Sequence, residues 1–121
     1  MIVTLCGSTR FKDEFLEVQK QLTLQGHIVL SVGLFGHADD VQLTQEEKIR
    51  LDNLHKEKIN MSDAIYVINP GGYIGESTYS EIDWANRMKK KIFFLEPIEG
   101  KESNDESAMA DAATAAPNSD N

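Results

Sequence analysis

Cysteine, long apolar runs and the common nucleotide-binding signatures are scarce or missing in this sequence of 121 residues. The single cysteine, Cys6, excludes an internal disulfide and a cysteine-rich metal site. No apolar run is long enough to cross a membrane, and no basic-then-apolar export signal opens the sequence. Neither a GxGxxG dinucleotide fingerprint nor a GxxxxGK[ST] phosphate loop occurs. We therefore expect a cytoplasmic protein with no membrane partner, metal or cofactor.

Positive charge is also in short supply, and it is unevenly distributed. The net charge is −8, of which residues 99–121 carry −5 from six acidic side chains and one lysine. Residues 1–98 are only weakly acidic, which gives no electrostatic reason to expect nucleic-acid binding. The tail has almost nothing apolar larger than Met109, so it cannot bury enough surface to offset its ordering entropy. We predict one folded domain at 1–98 and a disordered acidic tail at 99–121.

Strand-like and helix-like segments alternate along residues 1–98. Apolar runs predict strands at 2–5, 28–32, 64–68 and 92–95. An apolar stripe at helical spacing predicts a first helix that stops at Gly26, and further helices are expected at about 45–61 and 77–89. This alternation predicts an α/β fold, with a three-layer Rossmann-like or flavodoxin-like parallel sheet. Of the two main strand orders, we expect 2-1-3-4.

Two details of the helices can be predicted from the same pattern. Thr44 followed by Glu47 forms a capping box at the start of the second helix. The expected inward faces are Ile49, Leu54 and Met61 on the second helix, and Ile82, Ala85 and Met88 on the third.

Two loops have the composition of a ligand site. In the predicted strand order, the loop 6–10 after strand one and the loop 69–76 after strand three face each other at the topological switch point. The first contains Gly7, Ser8, Thr9 and Arg10, which can be a simple capped turn or a site for a phosphate or carboxylate. We expect the two loops to form one pocket.

Glu81 is the carboxylate most closely associated with this pocket. It lies four residues after Ser77, on the same helical face, so it could be a nucleophile or base aimed at a ligand. Alternatively, the Glu81 carboxylate could simply interact favourably with the positive end of the helix dipole. Among the remaining candidates, His55 reads by default as a structural histidine and Cys6 as a small buried hydrophobe. Tyr73 and Trp84 could stack on a base, although packing is the simpler use for Trp84.

The motifs LCGSTR and GGYIGESTYSEIDWA together resemble the nucleoside 2-deoxyribosyltransferase superfamily, which includes the 2′-deoxynucleoside 5′-phosphate N-hydrolases. The resemblance covers residues 1 to about 97. It implies cleavage of the N-glycosidic bond, or deoxyribosyl transfer, on 2′-deoxynucleosides or their 5′-monophosphates. Enzymes of this superfamily commonly complete their sites across a dimer interface, so the resemblance also implies a homo-oligomer.

The resemblance further implies roles for individual residues. Glu81 corresponds to the nucleophile that attacks C1′ of the deoxyribose. Ser8, Arg10 and Ser77 correspond to residues that bind the 5′-phosphate, and Arg10 favours the phosphate-handling branch. The substrate-binding set implied in this way is Cys6, Gly7, Ser8, Arg10, Gly75 and Ser77.

Two positions depart from the superfamily pattern. Thr4 stands where these enzymes usually have a tyrosine that helps to place the nucleophile. His55 stands where they have an aspartate that handles the proton of the base, with Asp52 one turn earlier as a possible substitute. We assign His55 a catalytic role as general acid, since its reference pKa suits proton transfer. These departures also leave an alternative open, a non-catalytic protein that binds a nucleotide or an ADP-ribose-like ligand in the same pocket.

Overall fold

The computed structural model describes residues 1–98, and the predicted disordered tail at 99–121 lies outside them. The elements are β1 (Ile2–Gly7), α1 (Lys12–Leu24), β2 (Ile28–Leu30), α2 (Gln45–Asn60), β3 (Ala64–Ile68), α3 (Glu76–Arg87) and β4 (Lys91–Phe94). A short 3-10 turn at Pro70–Gly72 follows β3. Within this part of the chain, no helix is long and apolar enough to span a membrane.

In residues 1–98, the strands form a parallel sheet in the order β2-β1-β3-β4, which confirms the predicted topology. Cys6 pairs with Val67, and Gly7 pairs with Ile68. The two central strands therefore end at the same level, and the loops that follow them are neighbours at the carboxyl edge of the sheet.

Helices cover both faces of the sheet, as the strand sequences require. The strands are apolar on both sides, which is the pattern of a parallel sheet buried between helices. One face packs against α1 through a core cluster that includes Val3, Leu5, Phe15, Val18 and Phe93. The other face packs against α2 and α3 through a cluster that includes Cys6, Ile59, Ile65, Ile82 and Phe94. Because side chains alternate along β1, Thr4 and Cys6 both point toward α2 and α3.

Several predicted boundaries differ from the observed ones by one or two residues. β1 extends to Gly7, β2 stops at Leu30, β4 begins at Lys91, and α3 begins at Glu76 and ends at Arg87. Ends of elements depend on local hydrogen bonding that an apolar pattern does not encode.

The predicted inward face of α2 was wrong. Ile49, Leu54 and Met61 are 51%, 50% and 66% exposed, whereas His55 and Ile59 are the buried residues of this helix. Most of α2 is polar, so its few apolar residues do not define the buried stripe, and only its C-terminal half packs on the sheet. On α3, Ile82 and Ala85 are buried as predicted, but Met88 is the exposed C-cap.

The predicted capping box at the start of α2 is confirmed. The Glu47 backbone N–H donates to the Thr44 hydroxyl, and the Thr44 backbone N–H donates to the Glu47 carboxylate. This reciprocal pair satisfies two backbone donors that the first turn of a helix otherwise leaves free. It fixes where α2 begins, and so fixes the position of His55 further along the helix.

Candidate active site

A cavity of about 660 Å³ opens at the carboxyl edge of β1 and β3. Seven of the predicted site residues line it: Gly7, Ser8, Arg10, His55, Gly75, Ser77 and Glu81. Cys6 is fully buried behind the cavity wall, where it contacts His55. The loops after β1 and β3 therefore form one pocket, as the strand order predicted.

A further wall of the cavity comes from the segment between β2 and α2, which the sequence reading did not assign to the site. Residues between Val32 and Leu43 contribute much of the lining. The segment is held in place where the His37 backbone N–H donates to the Thr9 hydroxyl at 3.1 Å and Lys12 pairs with Asp39 at 2.9 Å. The signal was available in the topology, because β2 lies beside β1 and its own carboxyl end meets the same edge.

Glu81 lies on the second turn of α3, in the cavity wall. Its pKa is raised from 4.5 to about 7, chiefly because burial penalises the charged carboxylate. The negative charge of Asp52 raises this pKa further, whereas a hydrogen bond from Cys6 and the positive charge of Lys56 lower it. At neutral pH, the protonated and the ionised forms of this carboxyl group are therefore present in comparable amounts.

Cys6 and His55 surround Glu81 on its buried side. The Cys6 sulfur, a His55 ring nitrogen and a Glu81 carboxylate oxygen all lie within 4.8 Å of one another. Burial, and next the nearby charge of Glu81, raise the pKa of the Cys6 thiol well above its ordinary value. The thiol is therefore protonated at neutral pH and able to donate a hydrogen bond toward Glu81.

His55 is oriented by the backbone of β1. Its Nε2 lies 2.9 Å from the carbonyl oxygen of Leu5 and 3.6 Å from the Cys6 sulfur. A carbonyl oxygen can only accept, so Nε2 carries the proton and donates it. Burial, and secondarily the charge of Lys58, lower the pKa of His55 to about 4. The ring is neutral at pH 7 and its proton is engaged, so the geometry does not support the predicted role of general acid.

Within the described part of the chain, the same three side chains form a group that could hold a metal ion by composition and distance. The hydrogen bond of His55 does not suit this use, because metal ligation requires a free lone pair on the ligating nitrogen. Here Nε2 carries a proton that is donated to Leu5. The cluster is a hydrogen-bonded group behind Glu81.

Thr4 does not take over the task of the tyrosine that the superfamily pattern has at this position. Its hydroxyl contacts the Lys58 carbonyl oxygen at 3.1 Å and the Ser62 hydroxyl at 2.5 Å, in a buried network at the end of α2. Next along the same face of β1, Cys6 is the side chain that meets Glu81 and His55. In β1, Glu81 is therefore met by Cys6, two residues after the position that the resemblance implied.

The N-terminus of α3 opens onto the cavity without a side-chain cap. Gly75 is the N-cap residue and makes no side-chain cap, and among residues 1–98 no side chain accepts from the first-turn N–H groups of α3. Gly75, Glu76, Ser77 and Thr78 all line the cavity. Free N–H groups and the positive end of the helix dipole favour an anion at this position.

Arg10 lies at the same rim, fixed by two neighbours. Its Nε donates to the Ser8 hydroxyl at 3.1 Å, and its guanidinium carbon lies 4.8 Å from the centre of the Tyr73 ring. The Ser8 oxygen accepts from Arg10, so its own proton remains available to a ligand. A guanidinium, a hydroxyl and a helix N-terminus around one opening are the donors that proteins use for phosphate groups.

Two other residues lie elsewhere. Asp63 accepts a hydrogen bond from the Ile2 backbone N–H at 2.7 Å. Trp84 is half-buried between α2 and α3, where its indole N–H donates to Asn60 at 2.9 Å. Neither residue lines the cavity described above. Trp84 therefore has the packing role that was the simpler expectation.

The fold and the site together define a flavodoxin-like α/β protein with a ligand pocket at its topological switch point. Neither a protein-family profile nor a curated protein sequence matches the chain. Solved structures do match, among them the CMP N-glycosidase BcmB of Clostridium botulinum, at 21% identity and a TM-score of 0.54 over 78% of this chain and 70% of that chain. Another is a 2-deoxyribosyltransferase from Bacillus psychrosaccharolyticus, at 16% identity and a TM-score of 0.58 over 82% of this chain and 77% of that chain. These matches confirm the fold that the sequence predicted.

Proposed function

We propose that this protein cleaves the N-glycosidic bond of 2′-deoxynucleosides or their 5′-monophosphates, with Glu81 as the nucleophile. The observation that carries the proposal is a half-buried carboxylate with a raised pKa, in the wall of a pocket whose rim offers donors for a phosphate. The fold supports the same reaction class, because the two solved structures described above are an N-glycosidase and a deoxyribosyltransferase.

In the first step, a carboxylate oxygen of Glu81 forms a bond to C1′ while the bond from C1′ to the base nitrogen breaks. The electron pair of that bond leaves with the base, and the sugar remains attached to Glu81 as an ester. In the second step, water or another base attacks C1′ from the opposite face and releases the carboxylate. Burial assists the first step, since a poorly solvated carboxylate is a stronger nucleophile once it is ionised.

The other residues of the site have supporting roles in this scheme. Cys6 and His55 hold the carboxylate from behind, the thiol by donating toward it and the ring by packing against the thiol. The leaving base requires a proton, and the neutral ring of His55 is poorly suited to supply it. We propose Asp52, whose side chain lines the cavity from α2, or a water molecule for that task.

A 5′-phosphate would be bound at the rim of the pocket. Ser8 and Arg10 from the loop after β1 would donate to it, together with Ser77 and the free N–H groups at the start of α3. Gly7 and Gly75 allow the backbone to approach the ligand closely. This arrangement favours monophosphates over nucleosides as substrates.

The proposal is tested by incubating the purified protein with each common 2′-deoxynucleoside and its 5′-monophosphate, and following free base by chromatography. Base is expected from monophosphates, and none from the Glu81→Ala variant. Asp83→Asn is the matched control, because it removes an exposed carboxylate from the same helix. Base release that persists in Glu81→Ala, with the fold intact by circular dichroism, would refute the assignment of Glu81.

A second candidate function is binding without turnover, of a nucleotide or an ADP-ribose-like ligand. It is favoured by the hydroxyl of Thr4 being engaged in the core and by the neutral, backbone-bound ring of His55. Tight binding of a monophosphate with no base release, measured by calorimetry and chromatography on the same sample, would favour this function over catalysis.

We also propose that the protein is a homo-oligomer. Ile49 and Leu54 are large apolar side chains that are half-exposed on α2, and Leu54 reaches the cavity. Association through this face would bury them beside the site. A monomeric mass by light scattering would contradict the proposal.

A further inference from the structure

Tyr73 occupies a bridging position between the two parts of the proposed phosphate site. Its ring lies against the Arg10 guanidinium, whose carbon is 4.8 Å from the ring centre, and Arg10 Nη2 lies 3.5 Å from the Tyr73 hydroxyl. On its other side, the hydroxyl lies close to Gly75, the N-cap of α3, where an added Cβ would come within 3.3 Å of it. The Tyr73 side chain therefore contacts Arg10 of the first loop and lies beside the N-terminus of α3.

The position of Tyr73 is itself well defined, although the side chain is 43% exposed. The Phe11 ring meets it edge to face, with centroids 5.9 Å apart. The loop before it is fixed by the 3-10 turn at Pro70–Gly72, in which Gly71 and Gly72 both have positive φ. The Gly71 backbone N–H also donates to the Glu96 carboxylate at 2.9 Å. The ring thus presents a prearranged surface to a long arginine side chain.

We propose that Tyr73 is a positioning residue that selects phosphorylated substrates by fixing the guanidinium of Arg10 beside the N-terminus of α3. This inference rests on the proposed function, because it takes the rim as the phosphate site. An arginine on an exposed rim otherwise loses side-chain entropy when it binds a ligand. Stacking on Tyr73 and donation to Ser8 restrict the side chain before the ligand arrives.

The Tyr73 hydroxyl is a second, weaker contact to the same guanidinium. It lies within reach of an Arg10 N–H and can accept from it, so it helps to orient Arg10. The ring and the hydroxyl can be separated experimentally, because phenylalanine retains the stacking surface and lacks the hydroxyl. A nucleoside without a phosphate would use neither.

The test measures binding by calorimetry in a Glu81→Gln background, where the ligand is not consumed. The ligands are a 2′-deoxynucleoside 5′-monophosphate, its nucleoside, and inorganic phosphate. Tyr73→Ala should weaken monophosphate binding by about tenfold, the size expected for a cation–π contact together with lost preorganisation. Nucleoside binding should change by less than about twofold, and Tyr73→Phe should recover most of the loss. Tyr79→Ala, which removes an exposed tyrosine of α3 outside the cavity, should change neither.

A double-mutant cycle shows whether Tyr73 acts through Arg10. In an Arg10→Ala background, Tyr73→Ala should have no further effect on monophosphate binding. Equal weakening of nucleoside and monophosphate, or additive effects of the two substitutions, would overturn the inference. The inference would also be overturned if the protein with Arg10 and Tyr73 intact bound neither the monophosphate nor inorganic phosphate.

The failure of this inference can be told apart from the failure of the proposed function. If base is released but Tyr73→Ala leaves the KM for the monophosphate unchanged, only the inference about Tyr73 fails. If binding follows the expected pattern and no base is released, only the catalytic proposal fails. For active protein, the KM for the monophosphate should rise in Tyr73→Ala while the kcat for the monophosphate is unchanged.

Discussion

The raised pKa of Glu81 lowers the free energy of unfolding at neutral and alkaline pH, and Glu81→Gln should abolish this effect. The folded protein holds the proton of Glu81 up to about pH 7, whereas the ordinary pKa of a glutamate is 4.5. Between these two values the folded state binds more protons than the unfolded state, so stability falls as pH rises. Above pH 7 the free energy of unfolding is lower by about 3 kcal/mol for this reason, and the loss disappears below the ordinary pKa of 4.5.

The assay is urea unfolding of the wild type and Glu81→Gln at about pH 5 and about pH 8.5, with equal m-values as the check that the unfolded states are comparable. Glutamine at position 81 does not ionise, so the variant should gain about 2 to 3 kcal/mol relative to wild type between the two pH values. Asp83→Asn, on the exposed face of the same helix, should shift by less than about 0.5 kcal/mol. A difference between wild type and Glu81→Gln that is the same at both pH values would refute the burial of an ionisable Glu81.

His55 is expected to have the opposite effect on stability, because its pKa is lowered from 6.5 to about 4. The stability that it contributes is fully present above pH 6.5 and is lost as the pH falls toward 4. The total loss is about 3 kcal/mol. Urea unfolding of His55→Gln, which keeps an N–H to donate to Leu5, should show a shallower loss between about pH 7 and about pH 4, and equal slopes would contradict this. Gly7→Ala should cost about 2 kcal/mol, because the added Cβ would lie 2.7 Å from the Ile68 carbonyl oxygen. Both glycine variants would be measured by thermal unfolding. Gly33→Ala, whose added Cβ meets nothing within 4 Å, should be nearly neutral. Equal effects of the two substitutions would contradict the close approach at Gly7.

Much of the fold could be predicted because it depends on periodicity. Apolar runs alternating with helical stripes require a parallel sheet covered on both faces, and only a few strand orders suit so short a chain. The order that was chosen, with β1 beside β3, is the observed one. The meeting of the loops after Cys6 and Asn69 follows directly from it.

The face that α2 buries could not be predicted in the same way. This helix is mainly polar, and the search for apolar positions selected Ile49 and Leu54, which are exposed. The residue it does bury near the site is His55, whose ring is accommodated by a hydrogen bond to the Leu5 carbonyl oxygen. A polar side chain with a buried backbone partner gives no signal in a hydrophobicity pattern.

The contacts within the site were also beyond the sequence. The pairing of Arg10 with Tyr73 joins residues that are 63 positions apart, and it depends on a turn with two glycines at positive φ. The environment of Glu81 likewise depends on Cys6 and His55, each from a different element. Sequence motifs placed these residues near one another, whereas their protonation and orientation follow only from the packed structure.

Covalent capture of the sugar on Glu81 tests the central claim most directly. The protein would be mixed with a 2′-deoxynucleoside 5′-monophosphate, quenched rapidly in acid, and examined by intact-mass and peptide mass spectrometry. The account predicts a mass increase equal to the deoxyribose phosphate left after loss of the base, located on the peptide that contains Glu81 and absent from Glu81→Ala. Base release without any adduct on that peptide, or an adduct on another residue, would contradict it.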